Sequence, residues 1–355
     1  MSHLNSNLLV ALFLCALIAA GCSTSTGGSA AEADSQSRTP DQGHADAAGV
    51  LALPTFEGAE ERSDRLRVVA TTSIIGDVVS RIGGERISLV TLMRPGRDPH
   101  GFEPAARDLT AVADADLIFV NGWDLEENLV HEVEAIGDGT PLVPVSAAIV
   151  PLLRGAESDL HGAEGERAAD PTTRYAGVDP HVWFSVHNVE QWAQNIAAVL
   201  SDLDPENAPA YVDNAAAYVE ELQALDDYIH AQVETIPVGR RVLVTNHDSF
   251  AYFADEYGFE VLGTVIPGAS TLAEPSARAL AALIDTMEEH DLCTLFAESS
   301  GSQTLAETVA TELGSCDDVQ ILQLYSGSIG VEGSAADSYI TMYRSNVDTI
   351  VGGLR

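Results

Sequence analysis

The chain has 355 residues, 46% of them hydrophobic, and its 54 acidic side chains against 17 basic ones give a formal net charge of −37. That length and apolar share suit two ordinary domains with real cores, and they exclude collagen, coiled-coil and disordered-polymer compositions. The negative surplus excludes nucleic acid as a partner, because phosphate binding needs a basic footprint. Lysine is absent and every basic residue is arginine, a composition that speaks to a salt-adapted or GC-biased proteome and to solubility rather than to fold.

The apolar run 8–20 is too short for a comfortable membrane span and ends in Ala19, Ala20 and Gly21 before Cys22. It resembles a bacterial lipoprotein signal. That implies cleavage before Cys22, a lipid on its thiol, and a mature chain held outside the cytoplasm by a membrane anchor; an ordinary secretory signal is the alternative. Residues 1–21 are assigned to this signal and 22–66 to a flexible tether. The tether is dominated by Ser, Thr, Gly, Ala, Asp and Glu, with Phe56 its one aromatic, and such a stretch buries too little apolar surface to offset the entropy of ordering it. Cysteine use agrees with export. Cys15 leaves with the signal, so Cys293 and Cys316 remain as an even pair in an oxidising compartment and are expected to be joined, with two buried free thiols as the alternative.

The body alternates strands and helices. Residues 68–72 form a short β-rich run, 75–82 a helical stretch and 87–93 a second strand, followed by apolar runs at 117–120 and 142–143. The pattern restarts at 242–245 and continues at 261–265, 294–297 and 319–324. Strands this apolar, separated by helix-length segments, predict an α/β fold of parallel sheets flanked by helices, in two lobes at 67–204 and 238–355. Between them, 205–237 carries Tyr211, Ala215, Tyr218, Leu222, Leu225 and Ile229 at i, i+3/i+4 spacing. Pro205 and Pro209 suit its first turn, and Pro237 with Gly239 closes it. One rigid helix of roughly 27 residues, about 40 Å long, is expected to join the lobes and limit hinge motion; two shorter helices with a kink are the alternative.

The tripeptide Asp98-Pro99-His100 recurs as Asp179-Pro180-His181. Proline fixes its own φ and extends the residue before it, so each histidine sits on a stiffened loop, as a metal ligand requires. His247 directly follows the first strand of the second half. Loops at the carboxyl ends of parallel strands are where α/β proteins bind ligands, so the three imidazoles can converge on the interlobe cleft.

The stretches Arg97-Asp98-Pro99-His100-Gly101-Phe102-Glu103-Pro104, Asp179-Pro180-His181-Val182-Trp183, Thr245-Asn246-His247-Asp248-Ser249-Phe250-Ala251-Tyr252-Phe253 and Phe296-Ala297-Glu298-Ser299 resemble the zinc/manganese-type (ZnuA/TroA-like) solute-binding lipoproteins of ABC transporters. So does the closing stretch 333–354, and the likeness runs from Arg67 to the end. The resemblance implies two α/β lobes joined by a backbone helix and a monomer that holds a divalent cation between them. It also implies delivery to a membrane permease, and no catalysis. Carried over residue by residue, it gives His100, His181 and His247 as metal ligands. Three imidazoles suit Zn2+, with Mn2+ as the alternative, since manganese members commonly carry a carboxylate at the position of His247. The aspartate that is a fourth ligand in many members is replaced here by Gly327. That leaves the fourth place to water or to Glu298, which otherwise serves as an acceptor orienting an imidazole; Asp98, Asp179 and Asp248 are further candidates for that outer role.

The acidic stretch 154–177 stands where zinc-type relatives often carry a His-rich loop, and it reads as a weak oxygen-based capture loop or a solvated linker. His131, His187, His230 and His290 lie in helix-like stretches at no useful spacing to a second ligand, and Trp123 and Trp183 read as core or cleft wall. A zinc hydrolase with Glu298 as base is the rival reading, although no His-Glu-x-x-His helix accompanies it; an adhesin on the same fold is a third.

Overall fold

The structure is a computed structural model and describes residues 49–56, 64–126, 129–130, 132–133, 139–153, 175, 177–301 and 303–355. The signal segment, Cys22, most of the tether, His131 and all of the acidic stretch except Tyr175 and Gly177 lie outside the described residues.

In the first half, β1 (Leu66–Ala70), α1 (Ser73–Gly83), β2 (Ile87–Thr91), α2 (Ala106–Ala113), β3 (Leu117–Val120) and β4 (Leu142–Pro144) build a parallel sheet in the order β2-β1-β3-β4. Two helices follow, α3 (Val186–Leu203) and α4 (Ala208–Val233). The second half is β5 (Val242–Thr245), α5 (Ala251–Tyr257), β6 (Glu260–Thr264), α6 (Ala277–Glu289), β7 (Thr294–Glu298), α7 (Thr304–Glu312), β8 (Gln320–Leu324) and α8 (Tyr339–Leu354). Its sheet is again parallel, in the matching order β6-β5-β7-β8. Each lobe therefore starts in an inner strand, steps to one side and then crosses to the other, which opens a crevice at the carboxyl ends of β1 and β3, and of β5 and β7.

The apolar strands are buried on both faces because period-two alternation gives each face its own cover. Val68, Ala70, Leu117 and Phe119 enter the main core under α1, α3 and α4, while Val69, Ile118 and Val120 enter a smaller cluster with Val112 of α2. In the second sheet Leu243 and Phe296 join the main core, and Val244, Leu295 and Ala297 join a cluster with Leu283, Met287 and Val309 of the outer helices.

The long helix α4 is unbroken over 26 residues, and Tyr211, Ala215, Tyr218, Leu222, Leu225 and Ile229 are all buried. It packs on α1 and α3 of the first half and on α8 of the second. Pro209 lies in its first turn, but Pro205 stands ahead of it, in a turn where the Asp204 carboxylate accepts from Asn207 Nδ2 (2.8 Å) and Tyr211 Oη (2.7 Å). A second bond between the halves is aromatic. Phe184 stacks on Phe250 at 4.3 Å, Tyr343 Oη donates to the Phe184 carbonyl (2.5 Å) and Tyr339 Oη to the Trp183 carbonyl (2.7 Å).

The tether expectation needs correction over 49–56. Leu51 is buried in the main core, Trp123 Nε1 donates to the Gly49 carbonyl (2.8 Å) and Ala148 N to the Leu51 carbonyl (2.9 Å). Buried Leu51, with half-buried Leu53 and Phe56 packed against the same core, anchors the segment, a local feature that averaging over the surrounding polar residues conceals. Among the described residues no helix is long and apolar enough to cross a membrane.

Cys293 and Cys316 form a disulfide, with Cα atoms 5.8 Å apart and a sequence separation of 23. It ties the segment entering β7 to the one entering β8. Closing a loop of this size stabilises by about 3 kcal/mol. The double variant Cys293→Ser/Cys316→Ser is therefore expected to unfold at a lower urea concentration by about that free energy; an unmoved midpoint would contradict this.

Candidate metal centre

Each Asp-Pro-His tripeptide folds the same way. The aspartate Oδ1 accepts the backbone N–H of the histidine two residues on, at 3.0 Å in both copies, an Asx turn closed around a rigid proline. The first lies between β2 and α2; the second follows β4 and leads into the 3-10 turn Val182–Phe184. His247 follows β5, at the crevice of the second sheet.

These loops bring the three imidazoles together, each at most 2% exposed. The Nε2 atoms of His100 and His181 are 3.2 Å apart, and those of His247 and His181 3.1 Å apart. One donor atom from each residue lies within 4.8 Å of the other two. Zinc–nitrogen bonds of about 2.0–2.1 Å place the corners of a tetrahedron about 3.3–3.4 Å apart, so a small cation fits the three nitrogens with minor adjustment.

The outward faces of two rings are held by carboxylates. His181 Nδ1 donates to Asp179 Oδ1 at 2.8 Å, and both groups are buried. His247 Nδ1 hydrogen-bonds Glu298 Oε1, which also accepts the His247 backbone N–H (3.1 Å); the other oxygen of Glu298 accepts from Ser326 Oγ (2.6 Å). Burial depresses the His247 pKa, but the attraction of Glu298 outweighs it and the net shift is upward. Burial likewise raises Glu298, and the partnership with His247 brings it below the usual carboxylate range. A proton fixed on Nδ1 leaves each Nε2 lone pair facing the centre. Glu298 thus stands behind His247, not beside the three nitrogens.

Asp98 does something else. Its Oδ2 accepts from Thr271 Oγ1 of the second lobe at 2.5 Å. Trp183 lines the back of the site, 5.3 Å from His181 between ring centroids, with Nε1 donating to the Ser326 carbonyl (2.9 Å). Trp123 is buried in the core of the first lobe.

The sequence reading missed a support beneath His181. Asn121, next after β3, donates Nδ2 to the Pro180 carbonyl (2.9 Å), and its N–H donates to Glu126 Oε1 (2.8 Å), which also accepts from Thr71 Oγ1 (2.5 Å). Burial pushes the Glu126 carboxyl up. Nothing in the acidic run Asp124-Leu125-Glu126-Glu127 marks which carboxylate turns inward; only its place after the third strand, matching Glu298 in the other lobe, is a signal. His187 and His230 pair with Glu256 (3.3 Å) and Asp226 (3.6 Å) on the surface, and His290 caps α6; the structure does not bring them to the centre.

The profile of the periplasmic zinc-uptake complex component A proteins (ZnuA) matches residues 68–353. The manganese-binding lipoprotein MntA of Halalkalibacterium halodurans is 36% identical over 298 residues, 84% of this chain and 91% of that protein. The zinc-binding protein TroA of Treponema pallidum is 33% identical over 292 residues, 81% of this chain and 88% of that one. The solved periplasmic zinc-binding protein TroA superposes with a TM-score of 0.70 at 31% identity, covering 82% of this chain and 99% of its own. With the family profile spanning both lobes and these relatives matching nearly their whole length, the chain belongs to the ZnuA family of metal-binding components of ABC transporters.

Proposed function

We propose that the protein captures a divalent transition-metal cation outside the cytoplasm, zinc in first place, between His100, His181 and His247, and delivers it to the permease of an ABC transporter while a lipid on Cys22 holds it at the membrane. The observation that carries this reading is the convergence of three buried Nε2 atoms, two of them on rings oriented by Asp179 and Glu298. Neutral imidazoles suit zinc, a borderline-soft ion, better than manganese, which prefers oxygen. Manganese is the second reading, favoured by the 36% identity to a manganese-binding lipoprotein. A hydrolase is disfavoured because Glu298 spends its oxygens on His247 and Ser326 and offers no base beside the metal place.

Calorimetric titration of Zn2+ and Mn2+ into the full chain tests this. One zinc per chain is expected. Glu298→Gln should weaken zinc by about 10–100-fold, the usual cost of losing an outer partner, and His100→Ala, His181→Ala or His247→Ala by more. Undiminished affinity in any histidine variant removes that residue from the site, and tighter binding of Mn2+ reverses the order of the two metals.

The pH dependence has a definite sign. Zinc binds the neutral ring, and Glu298 holds the His247 pKa above its ordinary value of about 6.5. Affinity should therefore decline with falling pH from a point above 6.5 (the ordinary value), and zinc should displace a proton at neutral pH. Titration in two buffers of different ionisation enthalpy reads that proton, and no release would contradict the expectation. In the metal-free protein the pair's contribution to stability is full between the ordinary values of the two groups, 4.5 and 6.5, and is lost as pH rises through the raised His247 value or falls through the lowered Glu298 value.

A further inference from the structure

Three imidazoles leave one place open on a four-coordinate cation. We propose, resting on the metal-binding reading above, that no side chain among the described residues fills that place. The contact of Pro99 with Gly327 seals it against one, and the cation is completed by an exogenous monodentate ligand, water or a small anion. The contact is thereby a determinant of metal specificity.

Among the described residues the cluster able to hold a cation consists of the three histidines, with no carboxylate in it. The carboxylates around it are committed elsewhere: Asp179 to His181 Nδ1 and N, Glu298 to His247 and Ser326, Asp98 to His100 N and Thr271. The second lobe also lays the loop after β8 across the Asp98-Pro99-His100 turn. On one side of Gly327, Ser326 is fixed by Trp183 and Glu298. On the other, Ser328 Oγ accepts the Gly96 N–H (2.5 Å) and donates to the Ile329 carbonyl (2.7 Å).

Gly327 itself is buried against buried Pro99. A Cβ at 327 would lie 2.6 Å from Pro99 Cδ and 3.1 Å from Cγ. The proline ring is closed onto its own backbone and has no rotamer to swing away, so a side chain at 327 would have to push the turn that presents His100. The site therefore offers three neutral nitrogens and one position for a guest ligand. An ion that wants several oxygens gains at most one there, whereas zinc is satisfied.

The test loads the metal-free full chain with Co2+, a visible reporter of ligand type in zinc-like sites, from buffers that differ only in nitrate, chloride or thiocyanate. The spectra are expected to differ with the anion. Raising thiocyanate displaces a bound water or weaker anion and is expected to shift the spectrum progressively to a new end point; a spectrum that saturating thiocyanate leaves unmoved would show that no exchangeable guest holds the fourth place and overturn the proposal. Gly327→Ala sets one methyl against Pro99 and is expected to weaken Co2+ and Zn2+ about tenfold or more by displacing the His100 turn; affinity within about twofold of wild type would overturn the role of the contact. Absence of Co2+ binding in every buffer would remove the metal-binding reading itself, and this inference with it.

Discussion

Everything at the centre depends on forcing three imidazole lone pairs to face one another in a dry place. Left alone, such rings would turn, protonate or hydrogen-bond elsewhere, because unshared nitrogen pairs at 3.1–3.2 Å repel unless a proton or cation sits between them. The protein prevents escape from behind. Asp179 and Glu298 grip the Nδ1 edges of His181 and His247, so that turning either ring would break a charge-assisted bond in a buried setting. Each carboxylate is held in turn: Asp179 by the His181 backbone N–H, Glu298 by the His247 backbone N–H and Ser326. Two buried negative charges behind the rings also match a doubly charged guest, so the loaded site is near neutral as a unit without any carboxylate touching the ion.

The frame that delivers the rings is a repeated one. Both sheets run in the same order and both place side chains at the crevice where strand order reverses. One repeat carries Glu298 at the end of its third strand in order, the other Glu126 just beyond its own. The first orients a metal-facing ring directly; the second acts through Asn121 and the Pro180 carbonyl, one peptide from His181. Separating the lobes to let the ion go would break Asp98 with Thr271, Gly96 with Ser328 and Trp183 with Ser326. It would leave α4 and the Phe184–Phe250–Tyr343 aromatic packing intact at the back.

Much of this was legible because it is local. Strand β5 coincides with the apolar run read at 242–245, and the stripe Tyr211 to Ile229 faces the core as its spacing requires. The Asx turns follow from the tripeptides themselves. What escaped depends on distant partners. Leu51 becomes core only because Trp123 and Ala148 accept the segment around it. Glu126 differs from Asp124 as a carboxylate only in three dimensions. The outer role of Glu298 is decided by Ser326, 28 positions away, and the closeness of Gly327 to Pro99 spans the two lobes, so no window of sequence contains it.

The acidity of the chain acts at longer range than the ligand cluster. A net charge of −37 draws divalent cations toward the surface, but screening confines that pull to about 8 Å at physiological ionic strength, less in strong salt, and it acts on charge alone. Zinc, manganese, magnesium and calcium are gathered alike. Discrimination has to arise where the field gives way to coordination, and there the number and kind of donors decide. A strongly acidic surface around a cluster of three imidazoles, with no carboxylate in it among the described residues, would separate the two tasks: oxygen collecting without preference outside, and imidazole selecting inside.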